Sequence, residues 1–108
     1  MRVSMWYNNR DVRVEEMPVP QIGHGEILVR IEASGLCGSD GMEWYRLHKA
    51  PLVLGHEVAG TLSDGRAVAL EPIAPCGHCD MCAQGDYGLC RLGAAMVHGI
   101  GRDGGMAE

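Results

Sequence analysis

Four cysteines fall in one short stretch, Cys76-Gly77-His78-Cys79-Asp80-Met81-Cys82-Ala83-Gln84-Gly85-Asp86-Tyr87-Gly88-Leu89-Cys90. Three recur at every third position and the fourth follows a seven-residue loop, a spacing that can turn four soft thiolates toward one point and suits tetrahedral zinc. Disulfides or scattered core cysteines are the alternatives. Both must explain why four cysteines occupy fifteen positions without an apolar run. Four thiolates would fill the zinc shell and leave no open position, so the expected role is to clamp a glycine-rich lobe, about residues 75–91. His78, inside that lobe, is expected to be an exposed bystander.

A second constellation is quieter. Cys37 stands in Ser34-Gly35-Leu36-Cys37-Gly38-Ser39-Asp40-Gly41, where small residues let the backbone turn tightly around one thiol. His56 and Glu57 interrupt the apolar run Leu52-Val53-Leu54-Gly55-His56-Glu57-Val58-Ala59-Gly60, a costly place for two ionisable groups unless they serve something. Taken alone, a cysteine such as Cys37 is more often a small buried residue, and a histidine such as His56 more often a hydrogen-bonded or exposed imidazole. Taken together, one thiolate, one imidazole and one carboxylate meet the demand of a catalytic zinc for few protein ligands and one open position.

The elements that must position these groups are mostly strands. Residues 3–7 and 12–14 are β-prone, and Asn8-Asn9-Arg10-Asp11 supplies the turn of a hairpin that Pro18 and Pro20 end. Residues 26–33 alternate as a strand with Val29, Ile31 and Ala33 inward and Arg30 and Glu32 outward. Residues 42–48 are expected to form a short helix capped by Ser39 or Asp40, with Trp44 and Leu47 inward and Pro51 as its stop. Ser63-Asp64-Gly65 is a hairpin turn between Thr61-Leu62 and residues 66–70. Residues 92–100 carry too little pattern to assign, and Met106-Ala107-Glu108 begins like a further strand.

Composition narrows the function classes. The chain has 108 residues, enough for one domain but not for a catalytic and a cofactor domain together. Sixteen glycines and no phenylalanine favour turns and short strands, with Val, Leu, Ile and seven Met filling the interior. A net charge of −5 without a basic run works against nucleic acid as a partner. The first ten residues turn polar too soon for a signal-peptide core and no apolar stretch approaches spanning length, so no membrane is expected. A cytoplasmic location is the resulting expectation, and a reducing compartment would keep the thiols free for metal.

Gly35-Leu36-Cys37-Gly38-Ser39-Asp40, Gly55-His56-Glu57-Val58-Ala59-Gly60, the four-cysteine lobe and Asp103-Gly104-Gly105-Met106-Ala107-Glu108 occur in the order seen in zinc-dependent medium-chain alcohol dehydrogenases. Across its whole length the chain resembles the N-terminal part of their GroES-like catalytic domain, nearest the polyol, sorbitol and threonine dehydrogenase branch. The resemblance implies a mainly β fold: a GroES-like partial β-barrel with one short helix and a protruding cysteine lobe. It implies two zinc ions, a catalytic one on Cys37 and His56, with Glu57 as ligand or exchangeable neighbour, and a structural one on Cys76, Cys79, Cys82 and Cys90. Ser39 would accept the proton of the substrate hydroxyl, and Asp40 would orient His56 through its other ring nitrogen. The implied reaction is oxidation of a small alcohol or polyol to a ketone or aldehyde through a zinc-bound alkoxide, with hydride passing to NAD or NADP. Homo-oligomers, dimers or tetramers, go with the family.

Three departures qualify the resemblance. Met42 stands where many relatives carry a histidine that continues the proton path, leaving Glu43, Tyr45 or water for that step. The loop after the Gly-His-Glu motif is trimmed to Ser63-Asp64-Gly65. No Gly-x-Gly-x-x-Gly opens a βαβ unit, so the Rossmann domain that would bind the dinucleotide is absent from this chain, which is not expected to turn over alone. The competing reading is a non-catalytic zinc-binding structural or assembly module. It keeps the cysteine lobe but gives Cys37, Ser39, Asp40, His56 and Glu57 no shared purpose.

Overall fold

In the computed structural model, which describes residues 1–93 and 97–108, the chain forms two three-stranded antiparallel sheets, ordered β2-β1-β4 and β3-β5-β6. Strands β1 (Arg2–Asn8) and β2 (Asp11–Glu16) make the expected N-terminal hairpin, and the Asn8 side chain tightens its turn by accepting the Arg10 amide at 2.9 Å. Strand β4 (Leu52–Val53) pairs with Met5 and Trp6 on the other edge of β1. The remainder of that edge is taken by the C-terminal residues. The Ser4 amide donates to the Met106 carbonyl at 2.8 Å and the Glu108 amide to the Arg2 carbonyl at 2.9 Å. Residues 106–108 therefore extend the sheet, in line with the strand-like start read from the sequence.

Alternation on β1 buries Val3 and Trp6, and Trp6, only 2% exposed, packs with Leu52 and Leu54 in the core. Met106 leans against this cluster, but no described methionine is buried, so methionine contributes less to the interior than composition suggested. Val, Leu and one Trp fill it instead.

In the second sheet, strand β3 covers only Arg30–Ser34, pairing with β5 (Val58–Thr61), which pairs in turn with β6 (Ala67–Ala69) across the Ser63-Asp64-Gly65 turn. The strand expected over residues 26–33 is thus shortened, and residues 26–29 are irregular. Its simple alternation also fails, because the register shifts between Ile31 and Ala33 and leaves Ala33 exposed. A bulge adds one residue to one strand and reverses the facing of the residues beyond it.

The expected helix is a series of tight turns. A 3-10 turn over Gly38–Gly41 leads into one α-helical turn, α1 (Glu43–Arg46), and a second 3-10 turn over Leu47–Lys49. Neither Ser39 nor Asp40 caps α1, whose N-cap is Met42. The inward face is also corrected: Trp44 is 80% exposed and Leu47 52% exposed, whereas Arg46 is completely buried. A buried carboxylate at Asp40 lies beside this element, and pairing it outweighs burial of one apolar face.

Candidate metal centres and family

The β3–β5 ladder assembles the first cluster. Ser34 faces Val58, and the Gly35 amide then donates to the Glu57 carbonyl at 2.7 Å, so the residues just past β3 meet those just before β5. Glycine at position 35 leaves the Glu57 side chain its place: a Cβ there would crowd the Glu57 Cβ at 3.0 Å and displace its carboxylate. Two residues on, Cys37 enters the 3-10 turn, which is closed by the Asp40 amide donating to the Cys37 carbonyl and the Cys37 amide donating to Asp40 Oδ2, both at 2.9 Å.

The sulfur of Cys37, one ring nitrogen of His56 and a carboxylate oxygen of Glu57 lie within 4.8 Å of one another. Ser39 Oγ is 3.3 Å from His56 Nε2, and Asp40 Oδ1 is 3.4 Å from His56 Nδ1. The imidazole is therefore flanked by a hydroxyl on one nitrogen and a buried carboxylate on the other. His56 Nδ1 and Asp40 Oδ1 face each other at 3.4 Å, and neither makes a hydrogen bond elsewhere. A thiol from one segment and an imidazole and a carboxyl group from another fit a divalent cation, zinc above all, and three donors fill three of its four tetrahedral positions.

Arg46 was not singled out by the sequence. Its guanidinium donates through Nη1 to the Ser39 carbonyl and places Nη2 3.3 Å from Asp40 Oδ1. No local pattern marks it, because an arginine between Trp44 and Leu47 on a short helix reads as a solvated residue.

The second cluster is local. Cys76, Cys79, Cys82 and Cys90 bring their sulfurs within 4.8 Å of one another around helix α2 (Asp80–Gln84), and all are free thiols. Cys76 and Cys82 Sγ stand 3.9 Å apart. Metal–sulfur bonds of about 2.3 Å give a tetrahedron with edges of roughly 3.8 Å, so the spacing fits zinc. Backbone N–H groups of Arg91 and then Cys82 pull the Cys79 thiol down to about 6, while burial pushes Cys82 up to about 12. The Cys76 amide, 3.4 Å from Cys90 Sγ, lowers Cys90. Outside the quartet, Arg91 pairs with Asp80 at 2.6 Å, and His78 is exposed as expected.

Met42 is exposed, and its amide donates to the Ser39 carbonyl at 3.1 Å. A broad groove of about 990 Å³, lined by Val19, Ile22, Leu28, Ile31 and Glu108 among others, contains none of the cluster residues. It is a separate, largely apolar surface, distinct from both donor clusters. No helix among the described residues is long and apolar enough to cross a membrane.

The profile of the alcohol dehydrogenase GroES-like domain matches residues 23–108, and the chain belongs to that family. It is 36% identical over 107 residues to the sorbitol dehydrogenase of Bacillus subtilis (strain 168), covering 83% of this chain and 30% of that protein. The crystal structure of galactitol-1-phosphate dehydrogenase from Escherichia coli matches with a TM-score of 0.85 and 36% identity, over 100% of this chain and 34% of that one. A cobalt- and zinc-bound thermostable alcohol dehydrogenase from Pyrobaculum aerophilum matches with a TM-score of 0.83 and 25% identity, over 97% and 36%. The chain thus spans about a third of the length of the relatives it matches.

Proposed function

We propose that these 108 residues are one GroES-like domain segment that carries both metal centres of an NAD(P)-dependent alcohol or polyol dehydrogenase. The observation that carries this reading is the convergence of Cys37, His56 and Glu57 donor atoms within 4.8 Å, beside the Ser39 hydroxyl. Zinc, when bound there, supplies a Lewis acid that makes an alcohol hydroxyl acidic. Cys37 and His56 would hold it, with Glu57 as a third or exchangeable ligand. Ser39 Oγ takes the substrate proton, and Asp40 holds the imidazole by facing its Nδ1, leaving Nε2 toward Ser39 and the cluster.

Cys76, Cys79, Cys82 and Cys90 form the structural site, whose closed sulfur shell stabilises a lobe with little core of its own. NAD or NADP, bound outside these residues, would supply the hydride acceptor. Alcohol or polyol substrates accord with the names of the relatives; a cytoplasmic homo-oligomer is part of the same proposal.

Metal analysis tests it. Two zinc ions per chain are expected, with one lost selectively in Cys37→Ser or His56→Ala. A single zinc, unaffected by those substitutions, would sink the dehydrogenase reading and leave a non-catalytic zinc module.

A further inference from the structure

We propose that Arg46 is a positioning residue for the Cys37–His56–Glu57 cluster, its guanidinium fork fixing the orientation and tautomer of the His56 ring through Asp40 and Ser39. Arg46 is fully buried, and both of its near partners belong to the turn that carries Cys37. Nη1 donates to the Ser39 carbonyl, and Nη2 lies 3.3 Å from Asp40 Oδ1. That same oxygen faces His56 Nδ1 at 3.4 Å, while Asp40 Oδ2 accepts the Cys37 amide at 2.9 Å. One side chain thus ties together the backbone of the relay hydroxyl, the carboxylate facing the imidazole and, through that carboxylate, the thiol.

Stability alone is a weak reason for such a pair, since a buried ion pair is often no better than well-packed apolar residues. Geometry is a stronger one. A planar fork can engage a carbonyl and a carboxylate in fixed relation, which the point charge of lysine cannot reproduce. With the fork in place, Asp40 Oδ1 favours the tautomer protonated at Nδ1 and leaves Nε2 free as a ligand.

The test uses Arg46→Met and Arg46→Lys in the 108-residue chain, with the buried Trp6 signal reporting an intact core. Nitrogen-15 NMR of the metal-free chain is expected to show His56 protonated at Nδ1 in the unsubstituted protein and mixed tautomers in both variants. Cobalt(II) affinity at the cluster is expected to fall about 10- to 100-fold in Arg46→Met and less in Arg46→Lys, with cobalt in the cysteine quartet unaffected. A folded Arg46→Met chain with unchanged tautomer and affinity overturns the proposal. If Arg46→Met does not fold, Arg46→Lys decides on the same two readouts. Only the cobalt measurement rests on the proposed function: should the unsubstituted chain bind metal solely at the quartet, that reading fails while the tautomer still tests Arg46.

Discussion

Gly99 and Gly55 meet backbone to backbone, so close that a Cβ on Gly99 would lie 2.7 Å from the Gly55 carbonyl carbon. Gly104 presses on the same place, and the Gly105 amide donates to the Gly55 carbonyl at 2.9 Å. The segment before His56 is therefore held in a sandwich of glycine backbones. Gly99→Ala or Gly104→Ala is expected to destabilise the chain by about 1–3 kcal/mol or more, as overpacking does. The loss should be visible in urea unfolding and accompanied by weaker metal binding at Cys37 and His56, with the quartet unchanged. Unfolding curves that superimpose on the unsubstituted chain would contradict this packing.

The two tryptophans make a paired experiment. Trp6→Ala empties the centre of the Trp6, Leu52 and Leu54 cluster and is expected to cost about 3–5 kcal/mol. Trp44→Ala removes a ring that is 80% exposed and should change stability by no more than about 0.5 kcal/mol. Equal losses in denaturant titrations would mean that Trp44 is packed after all.

Proton release should accompany metal uptake by the quartet. With Cys79 near 6 and Cys82 near 12, the first is largely thiolate at neutral pH and the second is not. Binding must then expel at least the Cys82 proton, so affinity rises with pH; it drops further below about pH 6, where Cys79 also becomes protonated. Calorimetry of zinc binding in two buffers of different ionisation enthalpy counts the protons, and a count of zero would refute the assigned states.

The chain alone should not reduce NAD or NADP in the presence of an alcohol or polyol, even with both centres loaded with zinc. Absorbance at the reduced-nicotinamide band is the measurement. Steady alcohol-dependent reduction by the purified chain would show that these residues hold the dinucleotide themselves.

Much of the site was legible because its signals are local. The cysteine quartet lies within fifteen residues, and glycines around Cys37 and before His56 marked backbone that must turn or approach closely. What the sequence concealed depended on facing. Trp44 and Leu47 looked like the buried side of a helix, yet a single helical turn has no room to average its preferences, and the ion pair between Arg46 and Asp40 set its rotation. The bulge between Ile31 and Ala33 was hidden for a related reason: an extra residue in a strand leaves no mark on composition and reverses every inward assignment beyond it.

The pairing of residues 106–108 with β1 brings the first and last residues side by side, with the Glu108 amide on the Arg2 carbonyl and their side chains joined in an ion pair. Topologically the segment is close to a ring. A short flexible linker could join Glu108 to Met1, and the exposed Ser63-Asp64-Gly65 turn could be opened in exchange, leaving both clusters on uninterrupted backbone. Such a permuted chain should bind the same metal complement as the original, because the order in which its strands are synthesised is not what brings Cys37 to His56.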